Sequence, residues 1–156
     1  MGIERNPKDE AAGPAGAVAL EQRIGAPAPA VSRYIGDFRN AKEWMVGVEG
    51  VERLSEDFYR LLVESPVGKL EPEARVLEHG DGRIRWEYVS AIEGGGEVTV
   101  APADDSSCVV SYTGDFHLKG KFLDRAARFV GMERFARRNG ERSLLRLKQL
   151  MEARRY

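Results

Sequence analysis

From Lys119 to Arg155 the chain contains no proline, and Phe122, Ala126, Phe129, Ala136, Gly140, Leu144, Leu147 and Met151 recur along it at helical spacing. That stripe predicts one long amphipathic helix, with Gly131 and Gly140 as the points where it would bend. A helix of this kind has to bury its apolar stripe, so the residues before it must supply a matching face. They read as β structure. Val48–Leu54, Phe58–Val63, Leu70–Glu78, Arg83–Ala91, Glu97–Ala101 and Cys108–Leu118 are apolar or alternating runs separated by short turn clusters. His79-Gly80-Asp81-Gly82, Gly94-Gly95-Gly96 and Asp104 to Ser107 are three of these clusters, and links so short predict an antiparallel meander. The triple glycine reads as a hairpin, because it joins two β runs and leads into no helix of the kind that cradles phosphate.

Ahead of the meander, Ala17–Ile24 alternates Val18, Leu20, Gln22 and Ile24 with Ala19, Glu21 and Arg23, the period of a half-buried strand. Pro27 and Pro29 then suit the first turn of a short helix carrying Val31, Tyr34, Ile35 and Phe38 on one face. Asp37 to Asn40 breaks it from a second short helix that holds Trp44 and Met45. Residues 1–16 combine charge, glycine and proline with little apolar content, so a disordered tail is expected before a single domain over residues 17–156. With 156 residues and 42% hydrophobic content, the chain is large enough for one core without staples.

Several chemistries drop out on composition. A lone cysteine, Cys108, cannot pair within the chain, and two histidines, His79 and His117, make no zinc pattern. Neither a metal nor a cofactor is expected. No window approaches a membrane span and no basic-then-apolar leader opens the chain, so a soluble cytoplasmic protein is expected. Charge is uneven beneath a net −1: residues 119–156 hold 12 Lys or Arg against 4 Asp or Glu, whereas residues 1–118 hold 12 against 21. The surplus reads either as the solvated outer face of the last helix or as a patch for anionic membrane or a partner. Nucleic-acid binding is not expected, since the positive charge is confined to one helix and the remainder is acidic.

The run Ala26–Leu54, with its proline-opened helix, the Asp37-Phe38-Arg39-Asn40 turn, Trp44, and then Val48 and Val51-Glu52, resembles the opening of a START-type lipid-binding domain. The resemblance extends over about residues 17–153 and includes the closing Leu144-Leu145-Arg146-Leu147-Lys148 segment. It is to the superfamily (START-like, or SRPBCC) that groups polyketide cyclases and dehydrases with lipid carriers and coenzyme Q-binding proteins. It implies an α+β helix-grip fold in the order β-α-α-β6-α: a curved antiparallel sheet of about seven strands wrapped around a long C-terminal helix, with a cavity between them.

On strand alternation the concave face receives Tyr59, Leu61, Trp86, Tyr88, Val98, Tyr112 and Phe116, and the short helices add Tyr34 and Trp44. From the long helix Phe129, Glu133 and Ala136 complete the expected ligand-binding set. Two readings of this wall stand: the aromatics interlock into a solid core, or the small residues Ala136 and Gly140 leave room for a guest. Glu133 likewise has two readings, as a desolvated carboxylic acid able to give a proton to a ligand, or as half of a surface pair with Arg137. Cys108 sits in an apolar strand and reads as a structural thiol. The expected function is binding, sequestration or transport of a hydrophobic or aromatic small molecule, such as a lipid, quinone or polyketide. The alternatives are a cyclase/dehydrase-type enzyme using the same cavity, with no catalytic residue assigned, and a module that docks through its basic helix. Monomer and homodimer both remain open.

Overall fold

The computed structural model describes residues 16–66, 68–90, 92–118 and 132–154. The expected tail lies outside the described residues except for Gly16. So do Phe122, Ala126, Phe129 and the side chains of Phe116 and Glu133. Strand β1 (Gly16–Ile24) is followed by helix α1 (Ala28–Gly36), a 3-10 turn (Phe38–Asn40) and helix α2 (Ala41–Trp44). Strands β2 (Val48–Ser55), β3 (Phe58–Ser65), β4 (Gly68–Leu70), β5 (Glu73–Gly80), β6 (Arg83–Tyr88), β7 (Ile92–Asp104) and β8 (Ser107–Leu118) come next, and helix α3 (Met132–Glu152) closes the chain.

The strands form one antiparallel sheet in the order β1-β8-β7-β6-β5-β3-β2, with the short β4 paired to β3. Neighbours in sequence are mostly neighbours in space, as the short turns require; the exceptions are β3, which pairs with β5 as well as with β4, and β1, which pairs with β8, Leu20 standing opposite Tyr112. The β5–β6 turn shows the local cause: Asp81 and Gly82 both take positive φ, at 54° and 77°, which suits a tight hairpin. The expected strand Leu70–Glu78 is two pieces, β4 and β5, parted at Glu71-Pro72. Proline has no N–H to give the ladder; its carbonyl instead accepts from Leu61 N–H at 2.9 Å.

Gly94-Gly95-Gly96 is not the expected hairpin. The three glycines lie inside β7, opposite Phe116, Asp115 and Gly114 of β8, and the link back to β6 is the stretch after Tyr88. Their role is close approach: a Cβ on Gly96 would sit 2.4 Å from the Trp86 ring, and one on Gly95 would sit 2.2 Å from Trp86 O.

The Asp37-Phe38-Arg39-Asn40 turn is self-supporting. Asp37 Oδ1 accepts from the Arg39 backbone N–H at 3.1 Å, the Arg39 guanidinium returns to Asp37 Oδ2 at 2.8 Å, and Asn40 Nδ2 donates to Tyr34 O at 2.8 Å. That arrangement turns Phe38 inward, where its ring centroid lies 5.2 Å from Tyr59 and 5.4 Å from Trp86. Helix α3 lies against the sheet through Gly140, Ser143, Leu144, Leu147 and Met151, all buried, and exposes Arg134, Arg137, Arg138, Arg142 and Arg146. Its far end is tied down by Glu152, which accepts from the Gly25 N–H at 2.7 Å and from Lys148.

Candidate functional site

Between α3 and the concave face of the sheet a cavity of about 130 Å³ remains. Its apolar wall takes Leu61, Val63 and Leu70 from β3 and β4, Val18 from β1 and Ile92 from β7. Trp44, Met45 and Val46 close one side from the end of α2, and Phe135, Ala136 and Leu144 face it from α3. Gly140 leaves room, as expected, and also packs closely. It lines the cavity, yet a Cβ there would lie 2.6 Å from Leu20 Cδ1, so it also brings the helix close to the sheet.

Beside the carboxylate residues Glu64 and Asp115, the polar side chains of the described wall divide into two groups. Ser143 Oγ donates to Asn139 O at 2.6 Å and accepts from Val46 N–H at 2.8 Å, while Asn139 Nδ2 donates to Val46 O at 3.3 Å. These bonds fasten the α2–β2 link to α3. Ser65 Oγ donates to Gly68 O at 2.7 Å across the β3–β4 turn. Tyr88 and Tyr112 form the second group, both half-buried and both lining the cavity. Burial pushes both phenols well above their ordinary ionisation, and the negative charge of Asp115 adds to it. They are therefore neutral donors at any physiological pH. The Trp86 indole nitrogen is buried with no hydrogen-bond partner among the described residues.

Of the expected ligand-binding residues, the structure puts Trp44, Leu61, Tyr88, Tyr112 and Ala136 on this cavity. It puts four others elsewhere. Tyr59, Trp86 and Val98 are buried in the packed core, where Trp86 is 2% exposed and stacks on Tyr112 at 6.4 Å between centroids. Tyr34 faces the other end of the helix, donating to Glu43 Oε1 at 2.6 Å beneath the Arg154 guanidinium, 4.5 Å above its ring. Phe129 and the side chains of Phe116 and Glu133 lie outside the described residues. The wall is thus part packed core and part open space. Gln22, half-buried, donates to Arg23 O and does not line the cavity.

Met45, Val46, Phe135, Asn139 and Ser143 were not anticipated as wall residues. The first two sit in an irregular link that carries no periodic signal; Asn139 and Ser143 could have been found by following Gly140 one turn along the helix. Cys108 is buried at the β7–β8 end, its thiol pushed up by burial, and has no part in the cavity. Among the described residues no cluster of His, Cys, Asp and Glu is placed to hold a metal.

Residues 16–152 match the family model described as polyketide cyclase / dehydrase and lipid transport. The chain belongs to that family. Solved structures with the same fold include a protein from Thermus thermophilus, at 19% identity and TM-score 0.72, covering 88% of this chain and 97% of that one. The Zhui aromatase/cyclase from Streptomyces sp. R1128 aligns at 19% identity and TM-score 0.69, over 90% of this chain and 95% of its own. A START superfamily protein from Mycobacterium smegmatis aligns at 15% identity and TM-score 0.69, over 88% and 97%. No curated protein matches the chain in sequence. The START-like family member described here thus has the helix-grip arrangement of these neighbours. Among its described residues, no helix is long and apolar enough to cross a membrane.

Proposed function

We propose that this protein binds a hydrophobic or aromatic small molecule in the cavity between α3 and the sheet, as a carrier or sequestering module. The observation that carries the reading is a cavity with a mostly apolar wall, lined also by Tyr88 and Tyr112, in a family named for cyclases, dehydrases and lipid transport. Removing apolar ligand surface from water supplies roughly 25 cal/mol per Å². At about 130 Å³ the space matches one aromatic ring, since an apolar cavity of about 150 Å³ holds benzene. A longer lipid, quinone tail or polyketide would need α3 or the α2–β2 link to move outward.

A cyclase/dehydrase-type reaction in the same cavity is the second reading, favoured by the likeness to the Streptomyces aromatase/cyclase. The described wall supplies Tyr88 and Tyr112 to such a reaction; their raised ionisation keeps them protonated, so they suit hydrogen bonding to a substrate oxygen better than full proton transfer.

Native mass spectrometry of freshly purified protein, repeated under denaturing conditions, tests the carrier reading. A non-covalent adduct lost on denaturation is the expected result, of roughly 100 daltons for a one-ring guest and of a few hundred where α3 or the α2–β2 link has moved outward. The control is Ala136→Phe, which puts a ring into the cavity from α3: the adduct should vanish while thermal stability holds or rises. An adduct that survives that substitution would sink the assignment to this cavity.

A further inference from the structure

The fold treats the arginines of the sheet and those of α3 differently. Five on the sheet are paired: Arg23, Arg60, Arg75, Arg83 and Arg85 each hold a guanidinium nitrogen between 3.3 and 3.7 Å from a carboxylate oxygen. On α3, Arg134, Arg137, Arg138, Arg142 and Arg146 are all exposed, and none of them forms an ion pair or a hydrogen bond among the described residues. Glu141 lies within a turn of Arg137, Arg138 and Arg142 and pairs with none of them.

An α-helix turns about 100° per residue, so the five arginines cover roughly half of the circumference of α3. Gly140, Ser143, Leu144, Leu147 and Met151 hold the other half against the sheet. Leu145 falls near the middle of the outer half, 47% exposed. From Arg134 to Arg146 the helix rises about 18 Å. The outer face is therefore a ridge of unpaired positive charge with one apolar side chain on its crest and no aromatic.

Shape and chemistry select among the polyanions that would cover such a ridge. A helix enters a nucleic-acid groove only where it stands clear of its own protein, and α3 is half committed to the sheet. Stacking on bases needs exposed aromatics, which the ridge lacks. A folded acidic partner needs a well-packed apolar or aromatic centre, and a lone leucine does not make one. An anionic bilayer needs neither: it spreads phosphate oxygens over a plane, guanidinium groups pair them bidentately, and a single leucine enters the boundary between headgroups and acyl chains.

We propose that the outer face of α3 docks this protein on anionic phospholipid bilayers, with the five arginines on the headgroup phosphates and Leu145 as the point of insertion. Docking goes beyond the carrier reading and does not depend on it. It bears on that reading, because α3 presents Phe135, Ala136 and Gly140 to the cavity from its other side, which puts the cavity one helix diameter, about 10 Å, from the lipid.

Co-sedimentation of the full chain with phosphatidylcholine vesicles, with and without phosphatidylserine, tests the assignment. Wild type should bind the phosphatidylserine vesicles alone, and added salt should release it. Each basic residue near such a surface contributes roughly fivefold in affinity, so Arg138→Gln, Arg142→Gln and Arg146→Gln combined should bind roughly a hundredfold more weakly. Leu145→Gln should weaken binding by a smaller factor and leave its salt dependence intact. Arg60→Gln, Arg75→Gln and Arg85→Gln combined remove the same charge from the sheet and should weaken binding far less; thermal midpoints report that each variant is folded. Wild type left in the supernatant at low salt, an α3 triple variant that binds as wild type does, or equal losses from the two triple variants would overturn the docking surface. Binding to duplex DNA at the same salt, lost in the same α3 variant, would overturn the assignment to a bilayer. Native mass spectrometry of the α3 triple variant should still show the adduct expected of wild type, so that loss of docking and loss of the cavity ligand are read separately.

Discussion

Two glycines facing the interior show how differently the same missing side chain is used. At Gly96 a Cβ would meet three atoms of the Trp86 ring between 2.4 and 2.9 Å, and that ring is itself hemmed in by Phe38 and Tyr112. Gly96→Ala is therefore expected to lower stability by about 1–3 kcal/mol, the range for overpacking a filled core, seen as a reduced midpoint in thermal or urea unfolding. At Gly140 the closest atom is Leu20 Cδ1, at 2.6 Å, the end of a flexible and only partly buried side chain. Alanine gains about 1 kcal/mol of helix propensity there. Gly140→Ala should consequently stay within about 0.5 kcal/mol of wild type by the same unfolding measurement, while narrowing the cavity. Trp86, expected on the ligand wall, is instead the piece around which the wall is packed.

Helix α3 does more than cover the sheet. Ser143 is buried and its hydroxyl supplies the partner for the Val46 N–H, so the link that carries Met45 and Val46 along the cavity is set by one helical side chain. Ser143→Ala removes that partner and leaves a part-buried N–H unsatisfied, at a cost of about 1–3 kcal/mol. Hydrogen exchange at the Val46 amide should quicken, and amides in β7 and β8 should be unaffected beyond the global loss. Equal acceleration everywhere would show that the bond does not hold the link locally. The opposite end of α3 is pinned to the chain before α1 through Glu152 and Gly25, so α3 can part from the α2–β2 link for a larger guest only by breaking the Asn139 and Ser143 bonds to Val46. The helix was legible from its stripe; its hold on the link was not, because Asn and Ser at helical positions read equally well as solvent-facing.

Over the whole molecule, the shifted groups bracket a plateau of stability. Burial, joined at Tyr34 by its bond to Glu43, raises the phenols of Tyr34, Tyr59, Tyr88 and Tyr112 above the ordinary 10.0. A raised folded-state value means the unfolded chain ionises first, so this stability is complete below pH 10 and falls as pH climbs further. The carboxylates run the other way. The Arg39 guanidinium holds Asp37 low, the Ser106 N–H holds Asp104 low and the Lys148 ammonium holds Glu152 low, so their contribution is present above the ordinary carboxylate range and lost as pH falls through it. Thermal midpoints should be flat from about pH 5 to about pH 8 and decline on both sides, the alkaline decline starting with the buried Cys108 thiol, raised from 9.0, and weakening in Tyr112→Phe. The positive surplus at the C-terminal end resolves, on α3, into an arginine-rich outer face with Leu145 among it, 47% exposed. If that face only solvates the helix, co-sedimentation with phosphatidylserine vesicles should be absent at low salt; salt-sensitive binding would add membrane docking to the carrier reading.

Periodicity determined the element order and the antiparallel meander, since an alternating run or a helical stripe is a local property that burial of one face imposes on residues near in sequence. The self-capping Asp37–Asn40 turn was legible for the same reason. Pairing of β1 with β8, the placement of Gly94-Gly95-Gly96 inside a strand and the division of the aromatics between core and cavity came only from the tertiary structure. Each depends on a contact between residues distant in the chain. A glycine reads as a turn until the tryptophan ring that needs its space is known, and a tyrosine on the concave face reads as ligand wall until the helix packed above it shows whether space remains.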